Sequence, residues 1–264
     1  ALRTLAGAGL AAVGGFGAYG FVYERRHATV TRTTVPVRHL PALLAGLRIG
    51  LISDVHHGRF MAQEDIAAAA ARLRDERPDL ILLAGDYVTW TNREAVAPCA
   101  DALAALAAPL GVFAVTGNHD PEPTVKTVFE AYRIQVLRDE CSRITARGEE
   151  VSIGGLRYWT RKPADIDRVF RGAQGLRILL AHDPRRLTQA AELGIPLVLA
   201  GHTHGGQVVL PGIGAPAAAR FPVAAGLARL KDTTIYVTRG LGTVILPVRL
   251  NCPPEIAILT LAAA

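Results

Sequence analysis

Short, branched apolar runs alternate with longer amphipathic stretches over the first half of the chain. Leu47–Ser53, Asp79–Ala84 and Gly111–Thr116 are apolar runs bounded by turn residues, as buried strands are. Between them the spacing predicts a helix over about residues 63–75, with Ile66, Ala69, Ala70 and Leu73 on one face and Pro78 as its stop. A second helix is predicted over about 93–108, closed by Pro109. Strand, helix, strand, helix, strand in that order predicts right-handed βαβ units and a largely parallel sheet.

After a short helix near 123–132 the texture changes. Ile134–Leu137, Ser142–Ala146, Glu150–Ile153 and Arg157–Thr160 read as short strands between turn signals, which predicts a second, antiparallel sheet. Leu176–Ala181 and Ile195–Ala200 read as further strands flanking a helix at 185–193, with Thr233–Thr238 and Glu255–Leu261 as closing strands. Val208–Leu210 is a weaker strand candidate. Pro211–Leu230 reads as a loop carrying Ile213, Phe221, Val223 and Leu227.

The N-terminal pattern differs from all of this. Thr4–Tyr23 is twenty residues without a charge, followed by Glu24-Arg25-Arg26. A helix of that length spans ~30 Å, the thickness of a bilayer core. It reads as a membrane anchor, an export-signal core or a packed arm. Arg25, Arg26, Arg32 and Arg38 behind it favour the following domain on the cytoplasmic side of a membrane. Met61 is the only methionine, so the chain reads as processed or truncated at its start. Thr29–Pro41 reads as a linker or an edge strand. The expected organisation is an anchor or signal-like segment at 1–27, a linker at 28–46 and one catalytic domain at 47–264.

Composition adds little. With 264 residues, half of them hydrophobic, one well-filled core is expected. The net charge of +6 suits an anionic substrate or a membrane surface, and no basic block interleaved with aromatics points to nucleic acid. Cys99, Cys141 and Cys252 are widely spaced and give neither a disulfide framework nor a Cys-x-x-Cys metal spacing.

The candidate chemistry lies at the carboxyl ends of the strands, where open α/β sheets bind ligands. Six of the eight histidines sit there: His56, His57, His119, His182, His202 and His204. On an extended backbone, residues two apart face the same side, which would aim His202 and His204, and likewise Asp54 and His56, into one cleft. Asp86 follows Gly85, and Asn118 offers a carbonyl oxygen. Mixed nitrogen and oxygen donors of this kind suit Zn, Mn, Fe or Ni rather than Ca. Two such ions about 3.5–4 Å apart form a clamp for displacement at phosphorus. Capping of the following helices is the plain alternative for Asp54 and Asp86.

Asp54-x-His56, Gly85-Asp86, Gly117-Asn118-His119-Asp120, His182 and Gly201-His202-x-His204 resemble, in order, the five blocks of the calcineurin-like metallophosphoesterases. The resemblance covers about residues 47–261 and implies an α/β fold, a four-layer αββα sandwich. It implies one metal on Asp54, His56, Asp86 and His204, and a second on Asp86, Asn118, His182 and His202, with Asp86 bridging. A hydroxide held between two divalent ions (Mn, Fe or Zn) would attack phosphorus. His119 would protonate the leaving oxygen or stabilise charge there, with Asp120 fixing its orientation. His57, Asp183 and Gln207 would lie outside the ligand set, and Thr203 would be a spacer. The N-terminal segment, Gly205-Gly206-Gln207 and the tail from Arg239 to Ile256 resemble the membrane-associated bacterial branch, YkuE- and YaeI-type phosphodiesterases and certain UDP-diacylglucosamine pyrophosphatases of lipid A synthesis. That branch implies a phosphodiester or pyrophosphate substrate, lipid-linked ones among them. Arg239 and Arg249 read as phosphate ligands or structural salt bridges. The competing class is a non-catalytic scaffold of the same fold, which loss of ligands would mark; every block here is intact.

Overall fold

The computed structural model describes residue 15 and residues 17–264. In chain order its strands are β1 (Thr29–Val37), β2 (Arg48–Ile52), β3 (Leu80–Leu83), β4 (Val112–Ala114), β5 (Gln135–Val136), β6 (Glu140–Ala146), β7 (Glu149–Gly155), β8 (Leu176–Leu180), β9 (Leu197–Ala200), β10 (Gly226–Leu230), β11 (Thr233–Val237) and β12 (Glu255–Ala263). The helices are α1 (Gln63–Asp75), α2 (Val96–Leu103), α3 (Glu122–Ala131), α4 (Pro163–Val169) and α5 (Arg186–Glu192). The strands form two six-stranded mixed sheets, ordered β1-β12-β2-β3-β4-β5 and β10-β11-β9-β8-β7-β6.

The two inner faces make the central core, with Ile49, Leu51, Leu80, Leu82 and Phe113 from one sheet against Val151, Ile178, Leu180, Leu197 and Leu199 from the other. The outer face of the first sheet is covered by Ile66 and Leu73 of α1, Cys99 and Leu103 of α2, and Val125 and Phe129 of α3. Ile166 of α4 and Leu187 of α5 cover the second, meeting Leu179, Val198 and Ile235. β2, β3 and β9 are thus enclosed on both faces, which is why they read as unbroken apolar runs. The four-layer α/β sandwich expected from the resemblance is the fold.

Several elements depart from expectation. Residues 134–137 do not join the second sheet. β5 pairs in parallel with β4, Phe113 opposite Gln135, so the run after α3 extends the βαβ series. The second sheet is mixed rather than antiparallel: β7, β8, β9 and β11 run parallel, and only edge strands β6 and β10 reverse. Residues 157–160 form no strand, because Asp139 accepts the Arg157 N–H at 3.0 Å and the Thr160 hydroxyl at 2.8 Å and pins them as a turn. Thr29–Val37 takes the edge-strand alternative, in parallel with β12.

The expected location in a bacterial membrane by an N-terminal anchor, with the catalytic domain on the cytoplasmic face, is corrected. No helix among the described residues is long and apolar enough to cross a membrane. Residues 1–14 and 16, on which most of the anchor and signal readings fall, lie outside the described residues. The described end of the segment is held on the domain. Arg249 N–H donates to Gly20 O at 3.2 Å, and the Glu24 carboxylate accepts the Asn251 and Cys252 N–H groups at 3.1 and 2.6 Å.

Candidate metal centre

The loops that leave β2, β3, β4, β8 and β9 converge at one edge of the sandwich. They bring together two trios of donors, Asp54–His56–His204 and Asp86–His182–His202. In the first, His204 Nε2 lies 3.1 Å from His56 Nε2 and 3.4 Å from Asp54 Oδ1. In the second, His182 Nε2 lies 3.2 Å from Asp86 Oδ2 and 3.0 Å from His202 Nδ1. Asp86 Oδ2 is also 3.6 Å from His56 Nε2, so this carboxylate stands between the trios.

The sheets set these positions through strained turns. Asp54, His56, Asp86, His202 and His204 have φ of 52°, 50°, 56°, 74° and 52°, the left-handed region that side chains avoid without tertiary support. His202 and His204 therefore do not share an extended backbone, contrary to the sequence reading. β9 ends at Ala200 and the chain turns, so the two rings enter different trios. Glycines make room for this crowding. A Cβ at Gly117 would overlap Asp86 Oδ1, and one at Gly201 would overlap Ser53 Oγ and stand 2.5 Å from Asp54 Oδ2.

Hydrogen bonds aim the donors. His182 Nδ1 donates to Ala84 O at 2.7 Å, so Nε2 is the nitrogen that faces the cluster. His56 Nδ1 is 3.2 Å from Thr89 Oγ1. Asp54 accepts the His202 N–H, and Asp86 Oδ1 accepts the His119 N–H at 2.9 Å. Asn118 Oδ1 is buried with no hydrogen-bond partner among the described residues.

This donor set fits cations. Asp54 and Asp86 are buried, and among the described residues their ion-pair partners are imidazoles alone. Burying carboxylates without compensating charge is costly. Burial disfavours the His182 imidazolium, yet Asp86 and then Asp54 push its pKa up to about 10, so a proton is retained where positive charge is wanted. Burial opposes ionisation of Asp86 as well, but His182 and His56 hold it below the usual carboxylate range. Burial takes His56 down to about 4 and, with His182 nearby, His202 to about 3, leaving both rings neutral donors.

Residues 47–206 match the calcineurin-like phosphoesterase family. The chain belongs to that family. It is 30% identical to metallophosphoesterase YkuE of Bacillus subtilis over 98% of this chain and 93% of the relative. It is 34% identical to phosphodiesterase YaeI of Escherichia coli over 82% of this chain and 83% of the relative. The fold is similar to the NAD nucleotidase of Haemophilus influenzae, with a TM-score of 0.50 at 16% identity over 74% of this chain and half of that one. This calcineurin-like phosphoesterase is a metal-dependent phosphoester hydrolase. The family uses divalent metals, and the two Asp/His trios are its candidate sites here.

His119 lies beside the trios, its ring 5.1 Å from that of His56, and its Nδ1 accepts the Trp90 N–H at 3.2 Å. Asp120 makes a different set of contacts from the one expected. Its carboxylate accepts the N–H groups of Asp86, Tyr87 and Gly117, each at 2.8 Å, and makes no hydrogen bond to the His119 ring. It clamps the Asp86 turn to the Asn118 turn, and Trp90 orients His119. Arg249 is fully buried and donates to the carbonyls of Arg239, Gly240, Gly242 and Cys252, while Arg239 pairs with Glu255 at 3.6 Å. Both arginines are structural. Asp183 pairs with Arg185 at 2.8 Å, and His57 bonds Met61 O at 3.0 Å; neither belongs to a trio. Thr203 Oγ1 ties the turn to Ala224 O at 2.6 Å, and Gln207 ties it to Val244 N and Leu246 O.

A cavity of about 450 Å³ opens over Asp86, Asn118, His119, His202 and His204. Its walls are Phe221, whose ring meets His202 at 5.1 Å, with Leu210, Trp90 and residues 244–246. Trp90 is 70% exposed and Ile245 83% exposed. The sequence reading passed over Trp90 and the part played by Val244 and Ile245 in the cavity wall. Trp90 had a signal, standing four residues after Asp86 in a chain with two tryptophans.

Proposed function

We propose that this hydrolase cleaves a phosphodiester or pyrophosphate bond at a two-cation centre and accepts substrates carrying an acyl chain. The carrying observation is the position of Asp86 Oδ2, 3.2 Å from His182 in one trio and 3.6 Å from His56 in the other, as a shared ligand requires. In this reading Asp54, His56, Asp86 and His204 hold one cation, and Asp86, Asn118, His182 and His202 hold the second. The unpartnered Asn118 oxygen supports its inclusion. When bound, the pair would supply Lewis acidity and lower the pKa of water from 15.7 towards ~7. Mn, Fe and Zn all suit these donors.

The remaining steps belong to the chain's own groups. His119 borders the cavity, and with Nδ1 accepting from Trp90 its Nε2–H is free to hydrogen-bond the leaving oxygen and stabilise the charge that develops there. Asp120 keeps Asp86 and Asn118 in register by clamping their backbones. Phe221, Leu210, Ile245 and Leu246 give the mouth an apolar lining that suits acyl methylenes, each worth ~0.8 kcal/mol when buried.

The test is to load purified protein with Mn, Zn or Fe in turn and assay acyl-bearing and short soluble phosphodiesters and pyrophosphates. Metal-dependent turnover with a lower KM for the acyl-bearing member is expected. Turnover that ignores both metal and acyl chain would overturn the reading.

A further inference from the structure

A second cavity, of about 540 Å³, also reaches the centre. His56, a donor of the first trio, lines it, and Trp90, Val244, Ile245 and Leu246 line both this cavity and the one that holds Phe221. Residues 244–246 therefore stand as a partition between two spaces that each open on the trios. They fold as a tight turn. The Leu246 N–H donates to Val244 O at 2.7 Å, and Ile245 between them has φ of 63°, a conformation that a β-branched residue resists. Ile245 is 83% exposed at the tip, so burial in the core does not hold it there. One side chain does. Gln207 Oε1 accepts the Val244 N–H at 2.6 Å, and Gln207 Nε2 donates to Leu246 O at 3.0 Å. The partition is thus fixed from the same turn that carries His204.

The two spaces differ in chemistry. Beyond the donors, Phe221, Leu210, Pro216 and Ala217 wall the first. The second is lined by His57, Arg59, Thr89, Asn92 and Thr243, and no acidic side chain borders it. Arg59 is exposed and makes no ion pair among the described residues; its guanidinium rests 5.4 Å from the Phe60 ring. We infer that the Gln207-held tip sorts the two substituents of the phosphorus, and that the one entering the second cavity is polar and anionic and is met by Arg59, a reading that rests on the hydrolase proposed above and names the arm opposite its apolar pocket. A second acyl chain would leave Arg59 unused and bury Thr89, Asn92 and Thr243 without partners. A phosphate with a single substituent would leave one of the two spaces empty.

The test compares two diesters that release the same 4-nitrophenolate, 2-carboxyethyl 4-nitrophenyl phosphate and its uncharged 2-carbamoylethyl counterpart, on the metal-loaded protein. Calorimetry of 3-phosphonopropionate and propylphosphonate accompanies it. The carboxylate ester should have a KM about fivefold lower at low salt, a margin that shrinks as salt rises. Arg59→Gln should bring the two KM values together. Gln207→Leu, which keeps the side chain's shape but frees the tip, should shrink the margin while elemental analysis finds the wild-type metal content. Ile245→Gly, whose backbone accepts φ of 63° without strain, should do the same and decides the matter if Gln207→Leu lowers Tm. 3-Phosphonopropionate should bind wild type more tightly than propylphosphonate and lose that advantage in Arg59→Gln. Equal binding of the two phosphonates by wild type, or a margin that survives Arg59→Gln, would overturn the anionic subsite. A margin that survives Ile245→Gly would overturn the partition. If neither ester turns over, the hydrolase reading fails, while calorimetry still decides the subsite by itself.

Discussion

Because Asp86 Oδ2 reaches into both trios, Asp86→Ala is expected to cost both cations, and elemental analysis should fall from near two transition metals per chain towards none. Retention of full metal and activity would show that the carboxylate is not shared. His119→Asn should keep the metal and lower turnover by ~10²–10⁴, with a smaller loss for nitrophenyl esters, whose leaving group needs little stabilisation. A loss independent of the leaving group would reduce His119 to a positioning role. His182, at about 10, holds its proton at pH 7 in the metal-free protein, so cation uptake must expel it. The sign follows: this proton stabilises the metal-free fold fully below the ordinary histidine value and is lost as pH rises through about 10, so metal affinity should climb between pH 7 and 10. Calorimetry in buffers of different ionisation heat reads the released proton directly. The candidate donors were legible in the sequence, since mixed Asp, Asn and His at strand ends are a chemical signature. Their geometry was not. The i, i+2 rule presumes extended backbone, and Asp54, His56, His202 and His204 all leave the strand into positive φ.

At the scale of elements, the strands enclosed on both faces were readable because burial alone dictates their composition. The 157–160 turn was not, since an Asp139 carboxylate 18 residues away overrides local propensity. The loop after the histidine pair divides its labour. Phe221 lines the cavity, whereas Val223 packs on the core beneath α5. Phe221→Ser should raise KM for a long-chain substrate and spare a short diester; equal effects with a lower Tm would make Phe221 packing alone. The 239–252 segment depends on one side chain. Arg249→Met removes the donors to four carbonyls and should destabilise by about 3–5 kcal/mol, since each buried polar group left unpaired costs ~1–3 kcal/mol. Denaturant titration measures it, and a loss under 1 kcal/mol would mean water replaces the guanidinium.

Across the whole molecule, the centre joins the two sheets, with Asp54, Asp86 and His119 from the first and His182, His202 and His204 from the second. Cation binding therefore crosslinks the halves of the sandwich, and chelation is expected to lower Tm. At 100 times the dissociation constant each bound ion adds ~2.7 kcal/mol to stability. An unchanged Tm on chelation would mean that the folded chain holds no ion there.

The place of β12 carries a consequence in time. It lies between β1 and β2, and Thr31 in β1 donates to Glu255 in β12, 224 residues along the chain. The strand that leads into Asp54 thus lacks one neighbour until nearly the whole chain has been synthesised. Pairings of such sequence separation are slow to form. The chain should pass through a stage in which α1 to α3 and the inner strands are assembled but the first trio is open. Metal uptake during refolding is then expected to lag the recovery of helical circular dichroism, and Ile258→Ala, in β12, should widen the lag. The maturing enzyme would meet its metals only after its last strand has docked.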